Sequence, residues 1–279
     1  LAGLTEAQAN ARLAAEPVLS GVSVTLSRLP VVKTGTAGLK PFGYDLFDEA
    51  PSTFAPMTDI PVPADYVVGA GDQLNVQLFG SQNRTLKLTV GRDGRVSFPE
   101  LGPIAVAGKS FDAVRGEIEA RVAQQMIGTQ ASVGLADTRS IRVFVLGEAQ
   151  KPGSYTVSGL ATVTSALYAS GGIKTTGSLR DVQLKRQGAL VRRLDVYDLL
   201  LRGDTSNDAK LQAGDVIFIP PVGATVSVEG EVRRPAIYEL KGSVSIGAAV
   251  ALAGGLTNEA DDSRVAVLRV GEDKRRVAL

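Results

Sequence analysis

The sequence predicts an α+β protein: a small α+β domain followed by two β-grasp-like repeats. Short strands with alternating apolar and polar residues, broken by Gly-Asp and Asp-Gly turns, run through 65–136 around one stretch at helical spacing. Beyond 140, a pattern of Gly-Glu, Pro, Tyr and Gly-Gly occurs twice at a constant offset. Each copy reads as strand, turn, strand, short helix and strand, a β-grasp-like arrangement.

The N-terminal stretch, 1–64, reads as a helix and a Pro-rich arm. Thr5 to Glu16 is Ala-rich and stops at Pro17, which predicts the helix. Val22 to Leu29 alternates and predicts a strand. Pro30, Pro41, Pro51, Pro56, Pro61 and Pro63 follow, and each removes a backbone donor, so long regular elements are not expected there. The same stretch carries Phe42, Tyr44, Leu46, Phe47 and Phe54, more large apolar groups than a free linker needs. It is expected to pack onto its own domains or onto a neighbouring subunit.

Residues 65–138 form the first compact unit. Gly69-Ala70-Gly71-Asp72 is a turn, after which Leu74, Val76 and Leu78 face one way along a strand. Asp93-Gly94 tolerates the positive φ of a tight hairpin. Ser110 is an N-cap, Asp112 complements the helix dipole, and Phe111, Val114, Ile118 and Val122 recur at helical spacing up to a stop near Gly128. A strand over 130–135 closes the unit. Gly69 and Gly71 do not make a phosphate loop, because Leu74 stands where GxGxxG requires a third glycine.

The repeat sets the rest, with boundaries at 139–222 and 223–279. Val145 to Tyr155 matches Val228 to Tyr238 at an offset of 83 residues, and the same offset carries Gly171-Gly172 onto Gly254-Gly255. Over 145–172 nine of 28 positions are identical, in one register, which marks a duplication. Each copy reads as strand, Pro turn, strand, helix, Gly-Gly stop and strand. Between the copies, 194–201 predicts a short helix, and Gly214-Asp215 before Val216-Ile217-Phe218-Ile219 echoes Gly71-Asp72.

Composition narrows the function classes. The 279 residues carry 30 basic and 29 acidic side chains, a net charge of +1, which argues against nucleic-acid binding. There is no Cys and no His, so thiolate nucleophiles, disulfides, imidazole bases and the commonest transition-metal ligands are all missing, and no cofactor is implied. No apolar stretch is long enough to span a bilayer. Leu1 is not a Met and the chain ends in a strand-like run, so a longer protein is expected, the second repeat being cut at its C-terminal side. Glu148 and Glu231 occupy equivalent places in two separate copies, which suits turn or inter-domain hydrogen bonds better than the paired acids of a glycosidase. Asn258, Asp261 and Asp262 lack the ligand spacing of a calcium loop and read as a polar turn.

Asp65 to Leu74 and Asp93 to Gly102 resemble the polysaccharide export domain of outer-membrane polysaccharide export proteins, with Ala70 where that family has Pro. The two Gly-Glu, Pro, Tyr, Gly-Gly copies resemble the SLBB domains, soluble-ligand-binding β-grasp modules, that follow it, and Leu39 to Phe47 is similar to the segment that precedes it. The resemblance implies a non-catalytic part of a capsular or exopolysaccharide export machine. It implies a periplasmic protein associated with the outer membrane, assembled as a homo-oligomeric ring, with polysaccharide and an inner-membrane polymerisation, co-polymerase or synthase partner. The outer-membrane helix of many members has no counterpart in these residues. A monomeric periplasmic adaptor that grips a glycan or soluble ligand is the alternative. Lys151, Tyr155, Arg233, Arg234 and Tyr238, in the repeated turn, are the candidate contacts to glycan or to a subunit. Gly69, Gly71, Asp72, Gly171, Gly172, Gly254 and Gly255 are read as structural turns.

Overall fold

The computed structural model describes residues 18–19, 22–26, 38–47, 62–261, 265–270 and 276–278. The helix expected over 5–16, Phe54 and Asp262 lie outside them. Two strands from the N-terminal stretch, β1 (Val18–Leu19) and β2 (Val22–Leu26), precede a 3-10 turn at Tyr44–Phe47.

The first compact unit holds β3 (Gln73–Gly80), β4 (Arg84–Thr89), β5 (Arg95–Phe98), β6 (Gly102–Ala105), α1 (Phe111–Gln125) and β7 (Thr129–Asp137). The sheet order is β4-β3-β7, all antiparallel, and β5-β6 forms a separate hairpin. Alternation puts Leu74, Val76 and Leu78 into a core that they share with Phe111, Val114, Ile118 and Val122 of α1. Ser110 Oγ accepts the Ala113 amide, the N-cap that the sequence predicts. The helix ends earlier than Gly128 suggests: Met126 caps it, and Gly128, at φ +72°, serves the turn into β7.

Module 1 comprises β8 (Ser140–Gly147), β9 (Gly153–Ser158), α2 (Val163–Ala169), β10 (Val182–Arg186), β11 (Ala189–Leu194), α3 (Val196–Arg202) and β12 (Val216–Ile219). Module 2 comprises β13 (Thr225–Gly230), β14 (Ala236–Glu239), β15 (Val244–Ser245), α4 (Ile246–Leu252), β16 (Val265–Val270) and β17 (Arg276–Ala278). The modules repeat one another in the bonds of the Pro turn and the Gly-Gly stop. In module 1 the Gly171 and Gly172 amides donate to the Tyr168 and Leu167 carbonyls; in module 2 Gly254 and Gly255 donate to Ala251 and Val250. Gln150 and Lys151 donate to Gly172 and Ser170, as Arg233 and Arg234 donate to Gly255 and Ala253. Each Gly-Gly pair is left-handed, which an L side chain adopts only at a cost.

One strand breaks the linear order. Module 1 has the sheet order β11-β10-β12-β8-β9, and module 2 has β17-β16-β2-β13-β14. β12 runs parallel to β8 and antiparallel to β10, and β2 runs parallel to β13 and antiparallel to β16. The registers coincide: Ile217 pairs with Val145 and Leu184, and Val24 pairs with their equivalents, Val228 and Val267. Thus the strand expected from 22 onward fills the centre of module 2, where no strand of 223–279 lies among the described residues. β1 pairs with β15 of the same module.

Candidate functional site: inter-unit clamps and the repeated turn

The arm residues bind across both modules. Pro41 bridges to Ile237 on the edge of β14, with Phe42 N–H donating to the Ile237 carbonyl (2.9 Å) and Ile237 N–H to that of Lys40 (3.0 Å). The Phe42 ring lies 5.0 Å from Tyr238 and 5.2 Å from Tyr197 between centroids. Tyr44 donates its hydroxyl to the Gly177 carbonyl at 2.6 Å. Phe47 is buried against Tyr168 and Gly172, where an added Cβ would stand 2.2 Å from the Phe47 Cβ. Gly172 therefore serves both the backbone turn and the seat of the arm. The arm, Gln150, Gly171 and the 173–176 loop border an open cleft of about 460 Å³.

Buried carboxylates clamp the units together. Asp72 is wholly buried at the junction of the first unit and module 1. It accepts from Tyr66 Oη (2.8 Å), the Gly69 amide (2.7 Å), the Arg139 amide (2.7 Å) and Arg139 Nη1 (2.6 Å). Asp215 repeats the local turn: it accepts the Gln212 amide, and Arg186 grips it through two nitrogens at 2.8 and 2.9 Å. Gly71 and Gly214 hold φ +95° and +86° in the two turns. The echo in sequence is thus one turn used twice, each time sealed by an arginine from elsewhere in the chain.

The seam between modules 1 and 2 is a third clamp. Arg180 binds Asp195 through Nε and Nη2 and donates from Nη1 to the Glu239 carbonyl. The Glu239 carboxylate accepts the Leu179 (2.9 Å) and Gly223 (3.0 Å) amides, while its own amide donates to Tyr197 Oη (3.0 Å). Burial, reinforced by the Glu239 charge, pushes the Tyr44 phenol up to about 12. Burial also raises Tyr66, where hydrogen bonding to Asp72 adds to it, and Tyr197. Such groups stay neutral and act as hydrogen-bond donors and acceptors.

The repeated turn is also duplicated. Tyr155 Oη donates to the Lys151 carbonyl and Tyr238 Oη to that of Arg234, both at 2.5 Å. Lys151, Arg233 and Arg234 stand at the surface, and Tyr155 is half-buried. Tyr238 is wholly buried between Phe42 and Tyr197, so its ring has no face to offer a glycan or a second subunit. Gly69 and Gly71 lie beside the Arg139 side chain. Glu148 and Glu231 each accept a threonine hydroxyl, from Thr176 (2.6 Å) and Thr257 (3.0 Å), and so occupy turn positions. Among the described residues no group of three or more Asp and Glu could hold a metal ion, and no helix is long and apolar enough to cross a membrane.

The clamp residues Arg139, Arg180, Asp195, Tyr197 and Glu239 carry no sequence signal of their own. Their partners lie far along the chain, as with Arg139 and Asp72, and only the Gly-Asp turns could have pointed to part of the set.

Comparison with known proteins fits this architecture. Residues 60–136 match the family described as polysaccharide biosynthesis/export protein, and residues 141–219 and 225–278 each match an SLBB domain family. The chain belongs to the outer-membrane polysaccharide export family. Among curated members of that family, it is 31% identical over 198 residues to the EPS I polysaccharide export outer membrane protein EpsA of Ralstonia nicotianae, covering 70% of this chain and 52% of that protein. It is 29% identical over 183 residues to the polysialic acid transport protein KpsD of Escherichia coli, covering 64% of this chain and 32% of that protein. The capsule polysaccharide export protein BexD of Haemophilus influenzae is 27% identical over 177 residues, 63% of this chain and 44% of BexD. The chain therefore spans between a third and about half the length of these export-family relatives.

Proposed function

We propose that this chain is a non-catalytic scaffold and conduit subunit for export of a capsular or extracellular polysaccharide, sited in the periplasm at the outer membrane. Copies assemble as a homo-oligomeric ring and work with an inner-membrane polymerisation, co-polymerase or synthase partner. The observation that carries this reading is the use of the buried carboxylates. Asp72, Asp195, Asp215 and Glu239 are nearly or wholly buried and engaged by arginine or backbone donors. Acids fixed in this way stiffen a wall, whereas a hydrolase needs an acid and a base facing a common cleft. The names of the relatives, which concern polysialic acid, extracellular polysaccharide and capsule export, supply the cargo class. Lys151, Arg233 and Arg234 are surface cations suited to weak, distributed contact with a sliding anionic polymer or an adjacent subunit.

The test is complementation with the full-length protein in cells lacking it, with surface polysaccharide and solution mass both measured. The account expects restored polysaccharide, a defined multimer by light scattering, and unchanged polymer length after incubation with the pure protein. A protein that restores export while remaining monomeric at every concentration supports the adaptor reading instead.

A further inference from the structure

The two modules differ at one edge of their sheets. β9 and β14 are equivalent strands, each the last in its sheet, and they pair with their neighbours in one register: Ser154 with Phe144, Ile237 with Ser227. In module 2 the outer edge is covered, because Ile237 exchanges two main-chain hydrogen bonds with Lys40 and Phe42. In module 1 nothing among the described residues bridges to the outer edge of β9 over 153–157. Burial follows the cover. Ala236, Tyr238 and Glu239 are buried and Ile237 is half-buried, whereas Gly153 and Tyr155 are half-buried and Ser154 and Thr156 are exposed.

The side chains around the open edge repeat those that hold the arm. Tyr155 stands where Tyr238 packs 5.0 Å from the Phe42 ring, and both phenols donate to the carbonyl four residues back, so the two rings are held alike. Lys151 stands where Arg234 places its guanidinium carbon 5.8 Å from the centre of the Phe42 ring. By the shared register, the Ser154 amide and carbonyl point outward as those of Ile237 do. An unpaired edge of this kind is a template for one more strand.

The filled twin defines what the open one takes. Phe42 N–H donates to the Ile237 carbonyl and Ile237 N–H to the Lys40 carbonyl, so the residue between them, Pro41, needs no donor of its own. The aromatic that follows it lies against the tyrosine, with the cation over its ring. The recognised unit is thus an extended X-Pro-aromatic tripeptide, fixed by two main-chain bonds and one ring. Pro-Phe occurs once in the 279 residues, at Pro41-Phe42, and that copy is anchored on its own modules by Tyr44 and Phe47. A second molecule of this chain therefore has none to spare, and the occupant is a different protein.

We propose that the outer edge of β9, with Tyr155 and Lys151, docks an extended X-Pro-aromatic segment of a partner protein, added as one more strand in the way that β14 holds Lys40-Pro41-Phe42. The ring of the segment lies on Tyr155, and its main chain bonds Ser154 in both directions. Docking of this kind needs neither a ring of subunits nor a bound glycan, so its failure would leave the export reading untouched.

The probe is the hexapeptide of residues 38–43, Gly-Leu-Lys-Pro-Phe-Gly, labelled for fluorescence anisotropy and added to the intact chain. The arm already fills the module 2 edge in cis, which leaves β9 for the peptide. The expected result is saturable binding, chemical-shift changes confined to the amides of 151–157, and at least tenfold weaker binding of a peptide carrying F42A. S154P should weaken the peptide at least tenfold with an unchanged melting temperature, since a proline on an edge strand removes only an outward donor. Y155A should weaken it as much while the shifts of module 2 stay in place. No saturable binding overturns the proposal, and so do shift changes at 236–239, which would mean that the peptide displaces the arm. If S154P binds the peptide as tightly as the parent chain, the β9 main chain takes no part and docking as a strand is overturned. Polysialic acid shifting the 151–157 amides while the peptide does not would make the occupant a glycan, and equally overturns it.

Discussion

Module 1 takes its central strand, β12, from its own sequence, and module 2 takes the equivalent strand, β2, from the opposite end of the described chain. Around that strand the turns, the Gly-Gly stops and the Tyr-to-carbonyl bonds are the same. The difference teaches that a β-grasp module fixes a slot rather than a sequence order: any strand of the right register and alternation completes it. It also ties the two ends together. Module 1 can close on local contacts, whereas module 2 must await a pairing across nearly the whole chain, a slow event by loop-closure arguments.

The largest effect should come from breaking that slot. Val24→Pro removes a backbone donor in a strand paired on both sides, a loss of about 3 kcal/mol or more. Hydrogen exchange should then show β13 and β16 unprotected while β8 and β10 keep their protection; Ile217→Pro should reverse the pattern. Next comes the seam. Asp195→Ala leaves the mostly buried Arg180 without its carboxylate and should cost about 3–5 kcal/mol in denaturant titration.

Glycine substitutions sharpen the comparison further. Gly172→Ala meets both the left-handed backbone and Phe47, about 2–5 kcal/mol, whereas at the equivalent pair Gly171 and Gly254 the nearest atoms are the Gln150 Cβ at 3.8 Å and the Arg233 Cβ at 3.3 Å, leaving mainly the backbone cost of about 1–2 kcal/mol. Melting temperatures should rank the variants in that order. The smallest effect is alkaline. Folding raises the Tyr44 phenol from its ordinary 10.0 to about 12, so the folded state holds its proton more tightly than the unfolded chain. Stability should be level below pH 10 and fall as the pH rises above it, and Tyr44→Phe should make the fall shallower, the raised Tyr66 and Tyr197 supplying the rest.

Much of this was legible in sequence, because turns are local. The 83-residue offset located both modules, and the spacing of Phe111, Val114, Ile118 and Val122 located the helix. The strand from Val22 was visible, but its destination was not: alternation says that a strand is half-buried and is silent on its partner. The clamps were hidden for a related reason. Asp195, Arg180 and Glu239 are ordinary surface types in composition, and only their long-range pairing makes them interior. Tyr238 misled because its repeat partner Tyr155 is half-buried, and the covering Phe42 comes from a separate segment.

The most direct test follows native-state hydrogen exchange of the intact chain at single-amide resolution. Amides of 22–26 should be protected to the same extent as those of β13 and β16, and should lose protection together with them as denaturant rises. If 22–26 exchange as fast as an unstructured peptide while β13 and β16 stay protected, module 2 is completed by something other than β2, and the shared-slot account fails.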